Sequence, residues 1–159
     1  MKKSFLLILC GLVLAGCGEF QTDDPLCKIT YTSSGGKVEP YNEDFGAEIG
    51  SNRLDGNQGV IAFLCPVTKI GERAFYNCEN LTSIIIPNSV TSIDSPFWGC
   101  DRLKSCYCKA LNPPIASMGD IFSFKATSLK IYVPRASVNK YKAAKGWSSY
   151  KDIIEGYDF

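Results

Sequence analysis

The sequence predicts a mainly β fold, a short solenoid of stacked parallel strands with a β-hairpin cap at its N-terminal end and a helical cap at its C-terminal end. Two observations carry the prediction. One pattern recurs between Val60 and Val133, plainest in VTKIGERAFYNCENLTSIIIP from Val67 and VTSIDSPFWGCDRLKSCYC from Val90. Aligned on phenylalanine, its spacings also hold: Phe75, Phe97 and Phe122 are followed nine residues later by Ile84, Cys106 and Ile131, and eleven later by Ile86, Cys108 and Val133. Cys78 and Cys100 stand at plus three, and Leu81 and Leu103 at plus six. Self-similarity at a period of 20 to 50 residues is the signature of a solenoid, because one such unit cannot bury its apolar face alone.

The totals narrow the function classes. A chain of 159 residues holds one domain and little more. Its 17 basic and 16 acidic residues give no concentrated positive surface for nucleic acid. It has no histidine, which excludes Ser-His-Asp and Cys-His catalysis and any His-ligated metal.

Residues 1–16 read as a lipoprotein signal peptide. Lys2 and Lys3 precede FLLILCGLVLAG, an apolar run shorter than the roughly 20 residues a membrane-spanning helix needs. Leu14-Ala15-Gly16-Cys17 resembles the lipobox of bacterial lipoproteins, which implies that Cys17 is lipidated on its sulfur and becomes the first mature residue. Two or more acyl chains on one residue hold a protein firmly to a membrane. The expected partner through Cys17 is therefore the membrane itself. Removal of Lys2 and Lys3 leaves 15 basic against 16 acidic residues, a net charge of minus one. Residues 17–26 read as a tether, and Glu19, Asp23 and Asp24 resemble the acidic surface-export signals of Bacteroidetes lipoproteins. The expected location is the cell envelope, lipid-anchored at the outer membrane and exposed on the surface.

Residues 27–59 are expected to form the N-terminal β cap. Lys28 to Thr32 alternates β-branched and aromatic residues, breaks at Ser33-Ser34-Gly35-Gly36 and resumes at Lys37-Val38-Glu39, which predicts a hairpin. Asn42 to Gln58 is rich in Gly, Asn and Asp and predicts loop with at most one short strand. Such a cap is needed because a solenoid end is an open sheet edge above an exposed core.

Residues 60–134 are the expected solenoid. Val60 to Leu64 matches the repeat strand, since Ile61 and Phe63 lie 23 residues before Ile84 and Ile86. About six buried side chains per coil, each contributing about 1.5 to 3 kcal/mol, do not offset the ordering of some 22 residues at about 1 to 2 kcal/mol each. Coils of this kind stand only by stacking.

IGERAFYNCENLTSIIIPNSVTSI resembles the BspA-like leucine-rich repeat, with its Ile-Gly-x-x-Ala-Phe-x-x-Cys-x-x-Leu-x-x-Ile-x-Ile-Pro motif. The flanks YTSSGGKVEPY and RASVNKYKAAKGW also resemble segments found around such repeats. The resemblance implies a leucine-rich-repeat solenoid with parallel strands on one face, a bacterial surface location, and binding or adhesion rather than catalysis. The chain departs from the motif at Cys106 and Cys108, which replace inward isoleucines, and at Lys125, which replaces the cysteine. The third coil is also longer, with 25 rather than 22 residues between phenylalanines.

Residues 135–159 predict a C-terminal cap with one helix. Pro134 stops the last strand, Ser137 is the expected N-cap, and Val138, Tyr141 and Ala144 lead to a glycine stop at Gly146. Tyr150 to Phe159 is expected to fold back as a short final segment.

Chemistry is weighed against packing at each candidate. Cys106-x-Cys108 has the wrong spacing for structural zinc and no second pair, so core packing is favoured and no metal or cofactor is expected. Cys78 and Cys100 are expected to form a ladder of buried thiols; Cys27 and Cys65 are the pair favoured if any disulfide forms. Glu72, Glu79, Asp94 and Asp101 fall in turns, where solvation is their ordinary state. No catalytic residues are assigned. The residue at plus ten must face outward, giving the row Ala62, Ile85, Tyr107 and Tyr132, with Lys130 at its edge. That apolar and aromatic stripe is the candidate ligand-binding face for a protein or glycan, with Trp98 in a turn as the second candidate. The competing reading is a structural or accessory envelope lipoprotein with no ligand of its own.

Overall fold

A computed structural model describes residues 24–116, 120–123 and 126–159; the signal segment, Cys17 and Lys125 lie outside the described residues. The described chain enters through a 3-10 turn, Pro25–Cys27, in which the Asp24 carboxylate accepts from the Leu26 amide at 2.8 Å. The Leu26 carbonyl then accepts from the Val67 amide at 2.9 Å. Asp24 to Leu26, assigned to the tether by the sequence reading, are therefore docked on the domain.

Strand β1 (Lys28–Ser33) alternates half-buried and buried positions as its β-branched pattern requires. It does not form the predicted hairpin. Lys37-Val38-Glu39 is not a strand; the Val38 amide donates to the Tyr31 hydroxyl, and Asn80 donates to the carbonyls of Gly35 and Gly36. The hairpin lies later: β2 (Ile49–Asp55) is the one short strand within the stretch expected mostly as loop, and β3 (Gln58–Phe63) overlaps the expected repeat strand Val60 to Leu64. Gly56 turns it at φ 58°, the left-handed conformation that a two-residue turn demands.

Short β4 (Lys69–Ile70) is followed by β5 (Leu81–Ile86), short β6 (Ser92–Ile93), β7 (Ser105–Cys108), β8 (Lys130–Pro134) and β9 (Ile154–Tyr157). The main sheet runs β2-β3-β1-β5-β7-β8-β9, and β4 pairs with β6 in a small second sheet behind it. From β5 to β9 every pairing is parallel, in the register Ile84, Cys106, Ile131, Ile154. The result is a mainly β, parallel-rich architecture with a short C-terminal helix, consistent with a short leucine-rich-repeat array.

The first coil differs from expectation on its strand side. β3 does not lie beside β5, because β1 sits between them, antiparallel to both. With both edges of β1 occupied, Lys37 to Glu39 has no edge to join. Behind the sheet the first two coils remain in contact, since β4 and β6 are parallel and the Thr91 amide donates to the Thr68 carbonyl at 2.8 Å.

The core is a phenylalanine spine. Phe75 stacks on Phe97 with centroids 5.5 Å apart, and Phe97 on Phe122 at 5.4 Å. Phe45 closes one end against Phe63 and Phe75, and Tyr150 meets Phe122 edge-on at the other. Leu81, Leu103, Cys78 and Cys100 are buried beside it.

The C-terminal cap is a fourth parallel step rather than a fold-back. A 3-10 turn (Arg135–Ser137), helix α1 (Val138–Ala143) and a second 3-10 turn (Ser148–Ile153) deliver β9 alongside β8. Ile154 follows Ile131 by 23 residues, the period of the coils themselves. Ser137 precedes α1 without capping it; its hydroxyl donates to the Leu111 carbonyl at 2.8 Å. Tyr141 and Trp147 are fully buried and anchored to the Ala110 and Pro114 carbonyls, each at 2.8 Å. Gly146 takes φ 82°, and a Cβ there would meet that of Ala116 at 2.5 Å. Among the described residues, no helix is long and apolar enough to cross a membrane.

Candidate binding surface

Alternation along a strand sends one residue to the core and the next outward. In β5, β7 and β8 the inward positions Ile84, Ile86, Cys106, Cys108, Ile131 and Val133 are all fully buried. Ile85, Tyr107 and Tyr132 are their outward neighbours, and the parallel register sets them in one row. Tyr107 and Tyr132 stack with centroids 4.7 Å apart and planes 17° apart.

Three details differ from the expected stripe. The antiparallel β1 reverses the register beyond Ile85, so the row continues through Thr30 to Val60, while Ala62 pairs with Lys28. Lys130 is not an isolated cation: its ammonium lies 2.7 Å from the Glu155 carboxylate, whose hydrogen bond raises the lysine's pKa. The stripe also extends at its C-terminal end, where Tyr157 packs edge-on against both Tyr107 (5.2 Å) and Tyr132 (5.8 Å). Phe159 lies against Tyr157, with the Lys109 ammonium over its ring. Tyr157 and Phe159 lie outside the phenylalanine-led coils from which the stripe is predicted, in a segment expected to fold back. The 23-residue step from Ile131 to Ile154 is the signal that places them.

Trp98 is half exposed but does not join this row. It stands in the turn between coils, beside Tyr76, Arg73 and Ser95.

The cysteines follow packing. Cys78, Cys100, Cys106 and Cys108 are buried thiols. Burial foremost pushes the Cys106 thiol well up, and it carries Cys108 up to about 11 against the opposing hydrogen bond with the Tyr141 hydroxyl. The Cys100 thiol is also pushed up, first by its hydrogen bond with Cys78 and then by burial. Cys27 and Cys65 are both thiols, the first buried and the second half-buried. Among the described residues, no group of three or more histidines, cysteines, aspartates or glutamates is placed to hold a metal. Glu72 and Glu79 are exposed; Asp94 is half-buried, as is Asp101, which accepts from the Ser123 hydroxyl at 2.7 Å.

Compared with known families, residues 49–143 match the profile described as "BspA type Leucine rich repeat region (6 copies)". No curated protein matches the chain.

Proposed function

Because the chain belongs to the BspA-type leucine-rich-repeat family, whose domain is typically a surface binding module and generally non-catalytic, we propose that it is a lipid-anchored cell-surface adhesion module. Cys17 carries the anchor, and the outward sheet face around Tyr107 and Tyr132 takes the ligand. The observation that supports this most directly is the aromatic row itself. Ile85, Tyr107, Tyr132, Tyr157 and Phe159 form a continuous apolar and aromatic surface where solvated β residues would satisfy the fold equally well.

Of the two ligand classes the sequence leaves open, protein or glycan, this face suits a protein. Sugar stacking needs a free ring face. Tyr107 stands between Ile85 and Tyr132, Tyr157 packs beside both stacked rings, and the far side of Tyr132 adjoins Glu155 on the next strand. The stacked rings are flanked by the Lys130–Glu155 ion pair. Rigid amphipathic rings with a polar rim are the composition of protein interfaces.

The test is Tyr107→Ser combined with Tyr132→Ser, in protein that remains folded by circular dichroism. Against a matrix protein captured by the wild type, the double variant should lose at least tenfold in affinity. Unchanged affinity removes the sheet face as the site. If wild-type protein on intact cells resists surface protease and captures nothing, the accessory envelope role replaces adhesion.

A further inference from the structure

The main sheet has two edges, β2 and β9. An edge strand carries a row of unpaired backbone groups, and natural sheets keep such strands short, blunt them with lysine or proline, or cover them. β9 is four residues long, and the charges along it are met within the chain, Glu155 by Lys130 and Asp158 by Arg135. β2 is different. At seven residues it is the longest strand among the described residues, it holds no proline or lysine, and its irregularity is confined to the Ile49 to Ser51 end. Outside its ladder with β3, residues 50–55 make no backbone-to-backbone hydrogen bond among the described residues.

The register decides which groups that edge offers. Asp55 and Gln58 flank a two-residue turn and so exchange both backbone bonds. Alternation then gives Asp55, Arg53 and Ser51 to β3 and leaves the amides and carbonyls of Leu54 and Asn52 aimed at the open edge. The Arg53 and Asp55 side chains stand on the outer sheet face, since Arg53 pairs with Val60 and Val60 with Thr30 of the outward row. Both are exposed, and neither has an ion-pair partner among the described residues. Opposite charges two residues apart on one face are self-complementary in one antiparallel register. A second copy related by a two-fold axis at Leu54 sets Leu54 opposite Leu54 with two reciprocal backbone bonds, and twice sets Arg53 opposite Asp55 of the other copy. That charged pair falls at a non-hydrogen-bonded position, where opposed side chains come closest. Centring the axis on Arg53 or on Asp55 brings like charges together instead. Pairing β2 with β9 of another copy would propagate without closing, whereas the two-fold arrangement closes at a dimer.

We propose that the β2 edge binds a second copy of this chain, antiparallel and centred on Leu54, joining two seven-stranded sheets into one continuous sheet. Both outer faces then look the same way, with the Tyr107 rings of the two copies about 40 Å apart at ordinary strand spacing. On the sheet-face reading of the function, such a dimer holds a ligand at two points. The dimer itself does not rest on that reading, because none of its contacts involves the tyrosines.

Sedimentation equilibrium of the full chain in density-matched detergent, with no ligand present, reads the association directly. Wild type should show a concentration-dependent equilibrium between monomer and dimer. Arg53→Asp opposes carboxylate to carboxylate and Asp55→Arg opposes guanidinium to guanidinium, so each variant alone should lose at least tenfold in dimer affinity. Mixed in equal amounts, the two should recover that affinity as a heterodimer, because every charge again meets its opposite. Arg53→Asp with Asp55→Arg in one chain should recover it as a homodimer. A wild type that stays monomeric throughout the dilution series overturns the proposal. So does undiminished dimerisation in single variants that remain folded by circular dichroism, or a mixture as monomeric as its parts. Each of these results is read without ligand and leaves the sheet-face proposal to its own test.

Discussion

Leu81 shows how much one position contributes. It is fully buried beside the phenylalanine spine and recurs as Leu103. Removing its branched end leaves a cavity that stacked coils cannot close without shifting register, so Leu81→Ala should cost about 2 to 5 kcal/mol. Urea denaturation checks this against exposed Lys104→Ala; equal midpoints would mean the inward register is wrong. The buried thiols add a pH dependence whose sign follows from their direction of shift. An unfolded cysteine titrates near its ordinary value, about 8.5 to 9. Cys106 and Cys108 are held above that, the latter at about 11. Between about pH 9 and pH 11 the unfolded chain has released protons that the native chain retains. Their contribution is therefore complete below about pH 9 and is lost as pH rises toward the folded values. Cys106→Val should flatten that decline, read as the drop in denaturation midpoint between pH 8 and pH 10.5. Equal drops in the two proteins would argue against a buried, neutral Cys106.

At the scale of elements, what was legible in the sequence is what repeats. Phe75, Phe97 and Phe122 announced the spine, and the alternation around Ile85 and Tyr107 announced the outward face, because each coil restates the same burial problem. What was illegible has no local trace. β1 was recognisable as a strand, but its partners Ile61 and Ile84 lie 32 and 53 residues from the Ile29 and Tyr31 that face them. Nothing near Lys28 says that the strand it opens will wedge between neighbouring coils. Ser137 was read as a cap because its chemistry suits one, and the distant Leu111 carbonyl captured it. The insertion itself can be tested through Thr30, mid-strand in β1 with neighbours on both sides. Proline there removes a ladder donor in a central strand, where it is not tolerated. Thr30→Pro should abolish the cooperative thermal transition. A transition kept within a few degrees of wild type would mean that β1 is not a central strand.

For the whole molecule, stacking makes every coil depend on its neighbours, and the two ends carry the atypical sequence. Phe45 and the β2–β3 hairpin finish one end, and Tyr141, Trp147 and β9 the other. The proposed attachment through Cys17 lies just ahead of this body. Cys17→Ser should move the protein from the membrane to the soluble fraction and stop incorporation of labelled fatty acid. Continued sedimentation with membranes after a carbonate wash, with label still incorporated, would defeat the anchor.

The place of β1 also bears on how the domain withstands force. In the proposed arrangement, anchored through Cys17 and holding a ligand on the sheet face, shear flow delivers its load to the chain just before Lys28. There the load enters a strand flanked by two hydrogen-bonded ladders, one to β3 and one to β5, both lying across its path. They must yield together, whereas the opposite terminus belongs to β9, an edge strand that can peel from β8 one bond at a time. Forced unfolding is governed by the barrier along the loaded coordinate rather than by equilibrium stability. The inserted strand therefore makes the N-terminal end the mechanically stronger one, which is what the proposed anchored adhesion role asks of it.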